Sequence, residues 1–577
     1  MKVMLLFPPN WTPTMPHLAL PTLTAYLREN GVEVIQRDLN VEVFDEILTE
    51  EYLMGSVARL RKAFGPRTKI MAAHRNSQMP QPQQIQWALR NGPGLAKRVE
   101  KAKSIVQSTA FYHGPTGLRS FQTVVEALEL ASLPFFPAAL HLQSYEAAVA
   151  VDSSRPLLKG ICDEEHNMFL DIFRRGILAD IKREQPDVVG ISIPSMPQML
   201  AGMTLAYLIK DAGLDCHVTV GGPHISMLRE ELPKVPEMFT LIDSAVVFDG
   251  EVPLLKLIET LSTGGDLSTV PNLVYREGPA GSDKIHVTDR KAPEKITELP
   301  LPDFDGLPLD RYLAPELALP LLTARGCYFG KCAFCNVGYG EPETFSQLRA
   351  QKLAEQMFTL SEKYGVRHIF FSDEAVTPRN LRDLSKIMKD ESMNWGGCVR
   401  FEKVISKELL NNMSEGGCRM ILFGLESASE AIMDQMIKGT QLEHMHRILE
   451  ESTEAGIWNH TFFFFGFPGE TMADAQETVN FLYQHKQHIN SAALGTFLME
   501  RYSPAHRFPK SFNVKRVIEP PDKDLAIYFD YEVESGMNEQ MAELIMDKFL
   551  ETLPDKRYPQ YYVSDVYRFL YASYLSE

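Results

Sequence analysis

Segments with the pattern of buried strands alternate with helical segments along this chain, and this alternation constrains its fold more than any other feature. A strand pattern at 2–7 is followed by helical spacing at 18–29, and the alternation resumes with strand patterns at 187–193, 217–220 and 245–248. Strands that alternate with helices form a parallel, doubly wound sheet. The first half of the chain is therefore predicted to be a Rossmann-like α/β domain.

A second run of strand and helix patterns fills the region after this domain. Its six predicted strands lie at 319–323, 366–372, 397–401, 419–425, 458–465 and 491–498. Six strands with intervening helices predict a partial (β/α)6 barrel, and the active site of such a barrel lies at the carboxyl ends of its strands.

Changes of composition along the chain set the predicted domain boundaries. The Rossmann-like domain is predicted over 1–261, and a helical insertion at about 41–160 interrupts it, either as structure or as a lid over a ligand. Residues 262–315 are rich in Gly, Pro and Asp and are predicted to be a linker. The barrel is predicted over 316–515, and a small, mainly helical C-terminal domain over 516–577.

The composition narrows the classes of partner and location. A length of 577 residues with 45% hydrophobic and 23% charged residues is typical of a soluble globular protein of several domains. A formal net charge of −17 argues against a long interface with nucleic-acid phosphates, so we expect a small-molecule or peptide substrate and no nucleic acid. No signal-peptide pattern and no apolar run of membrane-spanning length are found, so a cytoplasmic location is expected.

Three of the seven cysteines are crowded into one short loop after the first predicted barrel strand. Cys327, Cys332 and Cys335 lie within nine residues, and thiolates at this density favour zinc or an iron-sulfur cluster. A closed zinc site needs a fourth ligand, for which Cys398 or Cys418 is a candidate, and the chain would then be a non-enzymatic interaction protein. A [4Fe-4S] cluster held by three thiolates instead leaves one iron open to a small molecule.

The Cys-x4-Cys-x2-Cys run, with Phe334 just before its last cysteine, resembles the cluster loop of radical S-adenosylmethionine (SAM) enzymes. The usual spacing there is Cys-x3-Cys-x2-Cys, so this chain carries one extra residue. Gly-Leu-Glu-Ser at 424–427 and Gly-Phe-Pro-Gly-Glu at 466–470 resemble further motifs of that family in the same order.

Four N-terminal motifs resemble the cobalamin-binding subgroup of radical SAM enzymes. They are Phe-Pro-Pro at 7–9, Val-Gly-Ile-Ser at 189–192, Val-Gly-Gly-Pro-His at 220–224 and Asp-Gly-Glu at 249–251. The Asp-x-His-x-x-Gly motif, which in many cobalamin proteins supplies a histidine to cobalt, is absent from the sequence. The resemblance therefore implies a cobalamin-binding domain followed by a radical SAM barrel, and the lower cobalt ligand stays open.

The resemblance also implies ligand-binding residues. For SAM, the implied contacts are the amine with Asp373 and Glu374, the carboxylate with Arg400, the ribose with Glu426, and the adenine with Phe334, Gly466 and Pro468. For cobalamin, the implied residues follow predicted strands of the first domain: Pro9, Asn10, Ser192, Ser195, Gly221, Gly222, His224, Gly250 and Glu251. No residue is singled out as a catalytic acid or base.

The activity that the resemblance implies is radical chemistry. Members of the family use a reduced [4Fe-4S] cluster to cleave SAM to a 5′-deoxyadenosyl radical, and an external electron donor of the flavodoxin or ferredoxin type reduces the cluster. In the cobalamin subgroup the commonest outcome is methylation of an unactivated carbon. Ring formation or rearrangement without methyl transfer is the alternative, and nothing in these residues separates the two.

Overall fold

The structure, a computed structural model, describes residues 1–64, 79–278, 282–341, 345–552 and 558–577. The chain divides into two compact units. The first, here the N-terminal unit, comprises Met1–Lys291, Pro300–Glu316 and Pro521–Ala526. The second, here the barrel unit, comprises Ala292–Leu299, Leu317–Pro520 and Ile527–Glu577.

The N-terminal unit is built on a seven-stranded sheet with a separate two-stranded hairpin. Its strands are β1 (Lys2–Phe7), β2 (Glu33–Asp38), β3 (Ala139–Leu140), β4 (Tyr145–Glu146), β5 (Val188–Ser192), β6 (His217–Gly221), β7 (Ser244–Val246), β8 (Leu273–Arg276) and β9 (Ile285–Val287). The order in the large sheet is β2-β1-β5-β6-β7-β8-β9, and β3 pairs with β4. The first five strands of the sheet are parallel, which confirms the predicted Rossmann-like fold.

The strand order defines where a ligand is expected on this sheet. The chain leaves β1 toward β2 on one side, and β5 then pairs with the other side of β1. Strand β5 is buried along its whole length, as are all residues of β1 except Lys2, because helices cover both faces of a parallel sheet. Open α/β sheets bind ligands at such a reversal of strand order, outside the carboxyl ends.

The helices of the N-terminal unit include the predicted insertion. They are α1 (Ala19–Glu29), α2 (Leu39–Ile47), α3 (Glu50–Phe64), α4 (Pro82–Val106), α5 (Gly114–Ser132), α6 (Ser154–Gly160), α7 (Phe169–Arg175), α8 (Ile177–Glu184), α9 (Met199–Asp211), α10 (Pro223–Met227) and α11 (Glu251–Thr263). The Gly-Pro pair at 92–93 lies inside α4. A Cβ at Gly92 would lie 2.6 Å from Val57 of α3, so the glycine permits close helix packing. A second Gly-Pro pair, at 65–66, lies outside the described residues.

The predicted linker, 262–315, contributes structure to the N-terminal unit. Strands β8 and β9 extend the sheet in antiparallel order. Farther on, Tyr312 donates a hydrogen bond to the buried Asp38 over 2.6 Å, and Arg28 pairs with Asp303 at 2.7 Å. The composition conceals these strands because each is only three or four residues long and Gly-rich and Pro-rich segments flank them.

The barrel unit has a six-stranded sheet of entirely parallel strands and two smaller antiparallel sheets. Its strands are β10 (Ala318–Leu321), β11 (Ala324–Arg325), β12 (Ser346–Gln347), β13 (His368–Phe371), β14 (Asn394–Val399), β15 (Cys418–Glu426), β16 (Trp458–Phe465), β17 (Ser491–Thr496), β18 (Met499–Glu500), β19 (Val514–Ile518) and β20 (Tyr528–Val533). The large sheet runs in chain order, β10-β13-β14-β15-β16-β17, which confirms the predicted partial (β/α)6 barrel.

Helices follow the barrel strands and form most of the C-terminal part. They are α12 (Ala350–Tyr364), α13 (Pro378–Ile387), α14 (Lys407–Glu415), α15 (Glu430–Gln435), α16 (Leu442–Glu454), α17 (Met472–Gln484), α18 (Pro504–Arg507), α19 (Glu539–Thr552) and α20 (Asp565–Leu575). The C-terminal part also contains the antiparallel pair β19 and β20, beside its two helices. Among the described residues no helix is both long and apolar enough to span a membrane.

Candidate active site

The cysteine loop, residues 325–335, leaves the carboxyl end of the first barrel strand. Its three thiols, at Cys327, Cys332 and Cys335, are half-buried, whereas Gly330 and Lys331 between them are exposed. Gly330 adopts a φ of +58°, which a residue with a side chain rarely adopts, and this reverses the chain inside the loop. The loop therefore turns at Gly330, between its first two cysteines.

Ala333 anchors the loop in the middle of its Cys-x2-Cys half. Its N–H donates to the carbonyl of Met436 over 2.8 Å, and its carbonyl accepts from the N–H of Ala505 over 2.9 Å. The side-chain amide of Asn336 donates to the carbonyl of Arg501 over 3.1 Å. Ala333 is fully buried, so two flanking segments hold the thiols of the loop in position.

The three thiols of the loop do not converge on one point among the described residues. A zinc ion bound to thiolates at about 2.3 Å requires its sulfurs to lie within about 4.6 Å of one another. Within the part of the chain that the structure describes, no three cysteines have sulfurs within 4.8 Å of one another. Cys418 also begins β15, at the amino edge of the parallel sheet, whereas the loop follows the carboxyl edge. The described thiols of the loop therefore do not enclose a single ion as they stand.

Asp373, the first acidic residue after β13, is committed to the backbone that precedes the cysteine loop. Its carboxylate accepts hydrogen bonds from the N–H of Thr323 at 2.9 and 3.0 Å, from the Thr323 hydroxyl at 2.9 Å and from the N–H of Ala324 at 2.6 Å. Burial raises the pKa of Asp373 to about 7, although the hydrogen bonds from Thr323 and Ala324 favour the ionised form. The side chain fixes the start of the loop.

Glu374 lies on the solvent-exposed side of the same motif. Its side chain keeps contact with solvent, yet the surrounding protein raises its pKa. Its charge contributes to the raised pKa of the Cys335 thiol, about 12, and of Glu500, about 7, although burial is the larger cause for both. Glu374 and Glu500 therefore place two carboxyl groups near Cys335.

Arg400, which follows β14, reaches the cysteine loop. Its guanidinium lies 3.8 Å from the centre of the Phe329 ring, and Nη1 lies 3.9 Å from the sulfur of Cys332. Nη2 donates to the carbonyl of Lys438. A Cβ at Gly439 would lie 2.8 Å from Phe329, so this glycine makes room for the aromatic ring. A buried cation thus contacts the loop between its first two cysteines.

Glu426, at the carboxyl end of β15, forms a buried ion pair with Lys438. Their side chains are 11% and 6% exposed, and Oε1 lies 2.8 Å from Nζ. The strand has a bulge between Gly424 and Glu426, and Glu426 has a φ of +60°. A Cβ at Gly424 would lie 2.6 Å from both charged groups, so only glycine admits the pair. Lys438 also lies 5.5 Å from the centre of the Phe334 ring.

The Gly-Phe-Pro-Gly-Glu turn after β16 is closed by its own carboxyl group. Glu470 is fully buried and accepts a hydrogen bond from the N–H of Gly466, and burial raises its pKa to about 7. Gly466 has a φ of +85°, and a Cβ there would lie 2.6 Å from Ala542 of α19. The carbonyl of Pro468 accepts from Gln435 over 2.8 Å. The turn is thus held rigidly.

Contacts connect most of the implied SAM residues. Phe334 lies beside Lys438 and packs edge-to-face on Phe464, at 5.4 Å between ring centres, two residues before the Gly466 turn. Lys438 links Arg400 to Glu426, because its carbonyl accepts a hydrogen bond from Arg400 and its ammonium group donates one to Glu426. Lys438 was missed by reasoning from strand ends because it follows helix α15. Its only sequence signal is the Lys-Gly pair soon after the Gly-Leu-Glu-Ser motif.

Two buried polar residues at the carboxyl edge of the N-terminal sheet have no hydrogen-bond partner in the described part of the chain. The side-chain amide of Asn10 is 2% exposed, and both ring nitrogens of His224 are likewise unpartnered on a side chain that is 1% exposed. Burial lowers the pKa of His224 to about 4, so its ring is neutral at pH 7. These groups can hydrogen-bond to a ligand at this edge.

The remaining residues implied for cobalamin lie on the loops of the same edge. Pro9 precedes Asn10, Ser192 ends β5, Gly221 ends β6, and Gly250 and Glu251 begin α11. Ser195 donates to Gln198, whose amide donates to the carbonyl of Pro8 over 2.7 Å. Gly222 has a φ of +107°, and a Cβ there would lie 2.9 Å from the backbone of Ile193. The loops after β5 and β6 are therefore in close contact.

Comparisons with known proteins relate the barrel segment to a family. The profile of the radical SAM superfamily matches residues 321–482, from the end of β10 to α17. An uncharacterized methyltransferase of Pyrococcus horikoshii is 28% identical over 56% of this chain and 71% of its own length. The anaerobic magnesium-protoporphyrin IX monomethyl ester cyclase of Rubrivivax gelatinosus is 24% identical over 54% of this chain and 57% of its own.

A solved structure with a similar fold covers the whole chain. It is that of OxsB, a cobalamin-dependent SAM radical enzyme, with aqua-cobalamin and SAM bound. The alignment has a TM-score of 0.59 and 14% identity, and covers 100% of this chain and 71% of that one. The match over residues 321–482 and the named relatives identify the chain as an enzyme with a radical SAM domain, and the likeness to OxsB shows a similar fold.

Proposed function

We propose that this protein is a cobalamin-dependent radical SAM methyltransferase that methylates an unactivated carbon of a small metabolite or peptide. The observation that carries the proposal is the cysteine loop. Its three thiols lie in the segment that matches the radical SAM superfamily, and the buried cations Arg400 and Lys438 lie beside it. The methyltransferase name of the Pyrococcus relative supports methyl transfer.

The loop residues Cys327, Cys332 and Cys335 would hold the [4Fe-4S] cluster. An anionic cluster gains from the nearby positive charge of Arg400, whose position is fixed by the Phe329 ring and by a backbone carbonyl. The buried position of this cation, with 7% of its surface exposed, means that solvent screens its charge weakly.

SAM would bind across the carboxyl ends of the barrel strands. Glu374 would accept hydrogen bonds from its amine, Glu426 would accept from its ribose, and Arg400 would attract its carboxylate. Phe334, with the Gly466 and Pro468 turn, would border the adenine. Asp373 would act through Thr323 by holding the start of the cysteine loop.

Cobalamin would bind at the carboxyl edge of the N-terminal sheet. The buried amide of Asn10 and the ring of His224 offer hydrogen bonds that no described residue takes up. Gly221 and Gly222 carry no side chain where their backbone packs against Val246 and Ile193, so the loops after β5 and β6 can lie close together at this edge. Pro9, Ser192, Ser195, Gly250 and Glu251 belong to the same edge and complete the proposed site.

When bound, the cluster and cobalamin supply reductive cleavage of SAM and methyl-group transfer, respectively. The chain's own residues would bind SAM and cobalamin, orient them and shield the site from water. The aromatic rings of Phe334 and Phe464 pack together beside Lys438 and would limit the entry of water. A carbon radical requires such exclusion of water, because side reactions would otherwise destroy it. A reductant, such as a flavodoxin or ferredoxin, would deliver electrons to the cluster.

A cobalamin-dependent cyclase or rearrangement enzyme is the second candidate. The name of the Rubrivivax relative favours it, because that enzyme is called a cyclase and its identity to this chain is only slightly lower. The binding residues proposed above serve either outcome, since both begin with cleavage of SAM. Only the fate of the methyl group separates the two.

The deciding experiment uses protein reconstituted anaerobically with iron, sulfide and hydroxocobalamin. It is incubated with a reductant, SAM deuterated in its methyl group and a low-molecular-mass cell extract, and products are read by mass spectrometry. The Cys335→Ala variant is the matched control. Methylation predicts S-adenosylhomocysteine, 5′-deoxyadenosine and a deuterated compound, all absent with the variant. A new unlabelled compound with 5′-deoxyadenosine alone would instead assign the protein to the cyclase class.

A further inference from the structure

A group of histidines lies at the end of the barrel unit opposite the cysteine loop. Helix α16 carries His446 and Glu450, and His485 and His488 follow α17 directly. Both helices end just before the amino ends of the next strands, β16 and β17, whereas the cysteine loop follows the carboxyl end of β10. The group is therefore separate from the site described above.

Three of these side chains converge on one point. The ligand atoms of Glu450, His485 and His488 all lie within 4.8 Å of one another. Nδ1 of His485 and Nδ1 of His488 have no hydrogen-bond partner among the described residues, and the His485 side chain is fully buried. A buried imidazole nitrogen without a partner is costly, so the arrangement calls for a ligand.

A fourth residue orients the buried ring. Nε2 of His485 lies 2.5 Å from Nδ1 of His446, so one nitrogen donates a hydrogen bond to the other. Metal-binding histidines usually donate their second ring N–H in this way, which fixes the tautomer and turns the other nitrogen toward the ion.

We propose that Glu450, His485 and His488 bind one divalent transition-metal ion of the zinc class, and that His446 positions His485. Two imidazoles and a carboxylate are a ligand set that zinc accepts, with a water as fourth ligand. Glu450 is exposed, so the ion can enter from solvent. The site lies at the amino end of the barrel strands, where residues of this fold serve stability, so the ion would tie α16 to the segment before β17.

Zinc binding by the cluster-loaded protein tests this proposal. In that form the loop cysteines are occupied and do not compete for zinc. Wild-type protein and the variants Glu450→Gln and His488→Asn are dialysed against dilute zinc, and zinc and iron are counted together by mass spectrometry. Glu443→Gln, an exposed residue on the same helix, is the matched control. Glu450 is exposed, so its variant is expected to fold even if the His488 variant does not.

The expected result is one zinc per chain in the wild type and the control, at least tenfold weaker binding in both ligand variants, and the same iron content in all four. The melting temperature should rise with zinc in the wild type and the control only. Zinc bound equally by the ligand variants, or no zinc retained by the wild type, would overturn the proposal. Neither result bears on the proposed methyl transfer, because the iron count reports on the cluster separately.

Discussion

Replacing Asp373 with asparagine separates two roles that the acidic motif after β13 could have. If Asp373 contacts SAM, the substitution weakens SAM binding and leaves the cysteine loop intact. If Asp373 instead holds the start of the loop, as its hydrogen bonds to Thr323 and Ala324 indicate, the substitution loosens the cluster. We expect the second outcome.

The magnitude follows from the three donors that face the carboxylate. A hydrogen bond to a charged acceptor contributes about 1 kcal/mol more to stability than one to a neutral acceptor. Replacing the carboxylate with a neutral amide therefore lowers the contribution of the three hydrogen bonds by about 3 kcal/mol. The asparagine NH2 group would also face the N–H of Thr323, which now lies 2.9 Å from Oδ2. A loss of about 3 kcal/mol lowers the melting temperature of a unit of this size by about 6–12 °C. At pH 8, above the pKa of Asp373, about 7, the wild-type group is ionised, and the burial that raises this pKa offsets part of the gain from its hydrogen bonds, so about 3 kcal/mol is the upper limit of the loss.

Glu374→Gln is the matched control, because Glu374 is exposed and accepts no backbone hydrogen bond from any residue that the structure describes. Iron per chain after reconstitution and gel filtration, melting temperature and the Kd for SAM are measured for both variants. The Asp373 variant should lose iron and melt early, whereas the Glu374 variant should keep its iron and bind SAM more weakly. A fully iron-loaded, normally stable Asp373 variant with weakened SAM binding would refute the reasoning.

Three further substitutions test the packing and the charges of the structure. Lys438→Gln leaves Glu426 buried without its partner and should destabilise the barrel unit by about 3 kcal/mol, which a double-mutant cycle with Glu426→Gln should partly restore. Because its pKa is raised to about 7, Glu470 keeps its proton in the folded state over a pH range in which the unfolded chain has lost it. The stabilisation from this proton is therefore complete below pH 4.5 and is lost as the pH rises through about 7. Glu470→Gln should therefore reduce the drop in melting temperature between pH 5 and pH 8.5, and an unchanged drop contradicts this cause. Gly222→Ala forces a Cβ to 2.9 Å from the backbone of Ile193 and should abolish cobalamin retention on gel filtration while iron content stays normal.

The positions of the site residues could be predicted because parallel strands all point their carboxyl ends toward one edge. The bounds predicted for β16 coincide with those observed, since its four phenylalanines make an unbroken apolar run. Once the strands are placed in a parallel sheet, the residues that directly follow them are expected at the same carboxyl edge. The strand positions therefore predict that Arg400, Glu426 and the cysteine loop lie at one edge, where the structure brings Arg400 to Cys332.

The contacts made at that edge could not be read from the sequence. An acidic residue after a strand can face a ligand or the backbone, and only the hydrogen bonds of Asp373 show which. Lys438 follows a helix, where no rule about strand ends applies. Strands β8 and β9 are three or four residues long, which is too short for a periodic pattern to emerge from a Gly-rich and Pro-rich segment.

The extra residue of the cysteine loop has a physical counterpart in the structure. The longer first half of the loop contains Phe329, whose ring lies over the Arg400 guanidinium at 3.8 Å, and Gly439 leaves the space that the ring occupies. Since Arg400 also lies 3.9 Å from the Cys332 sulfur, the ring keeps the cation beside the loop. The lengthened spacing therefore does not remove a ligand. The longer half of the loop includes an aromatic residue that contacts a buried positive charge beside the thiols.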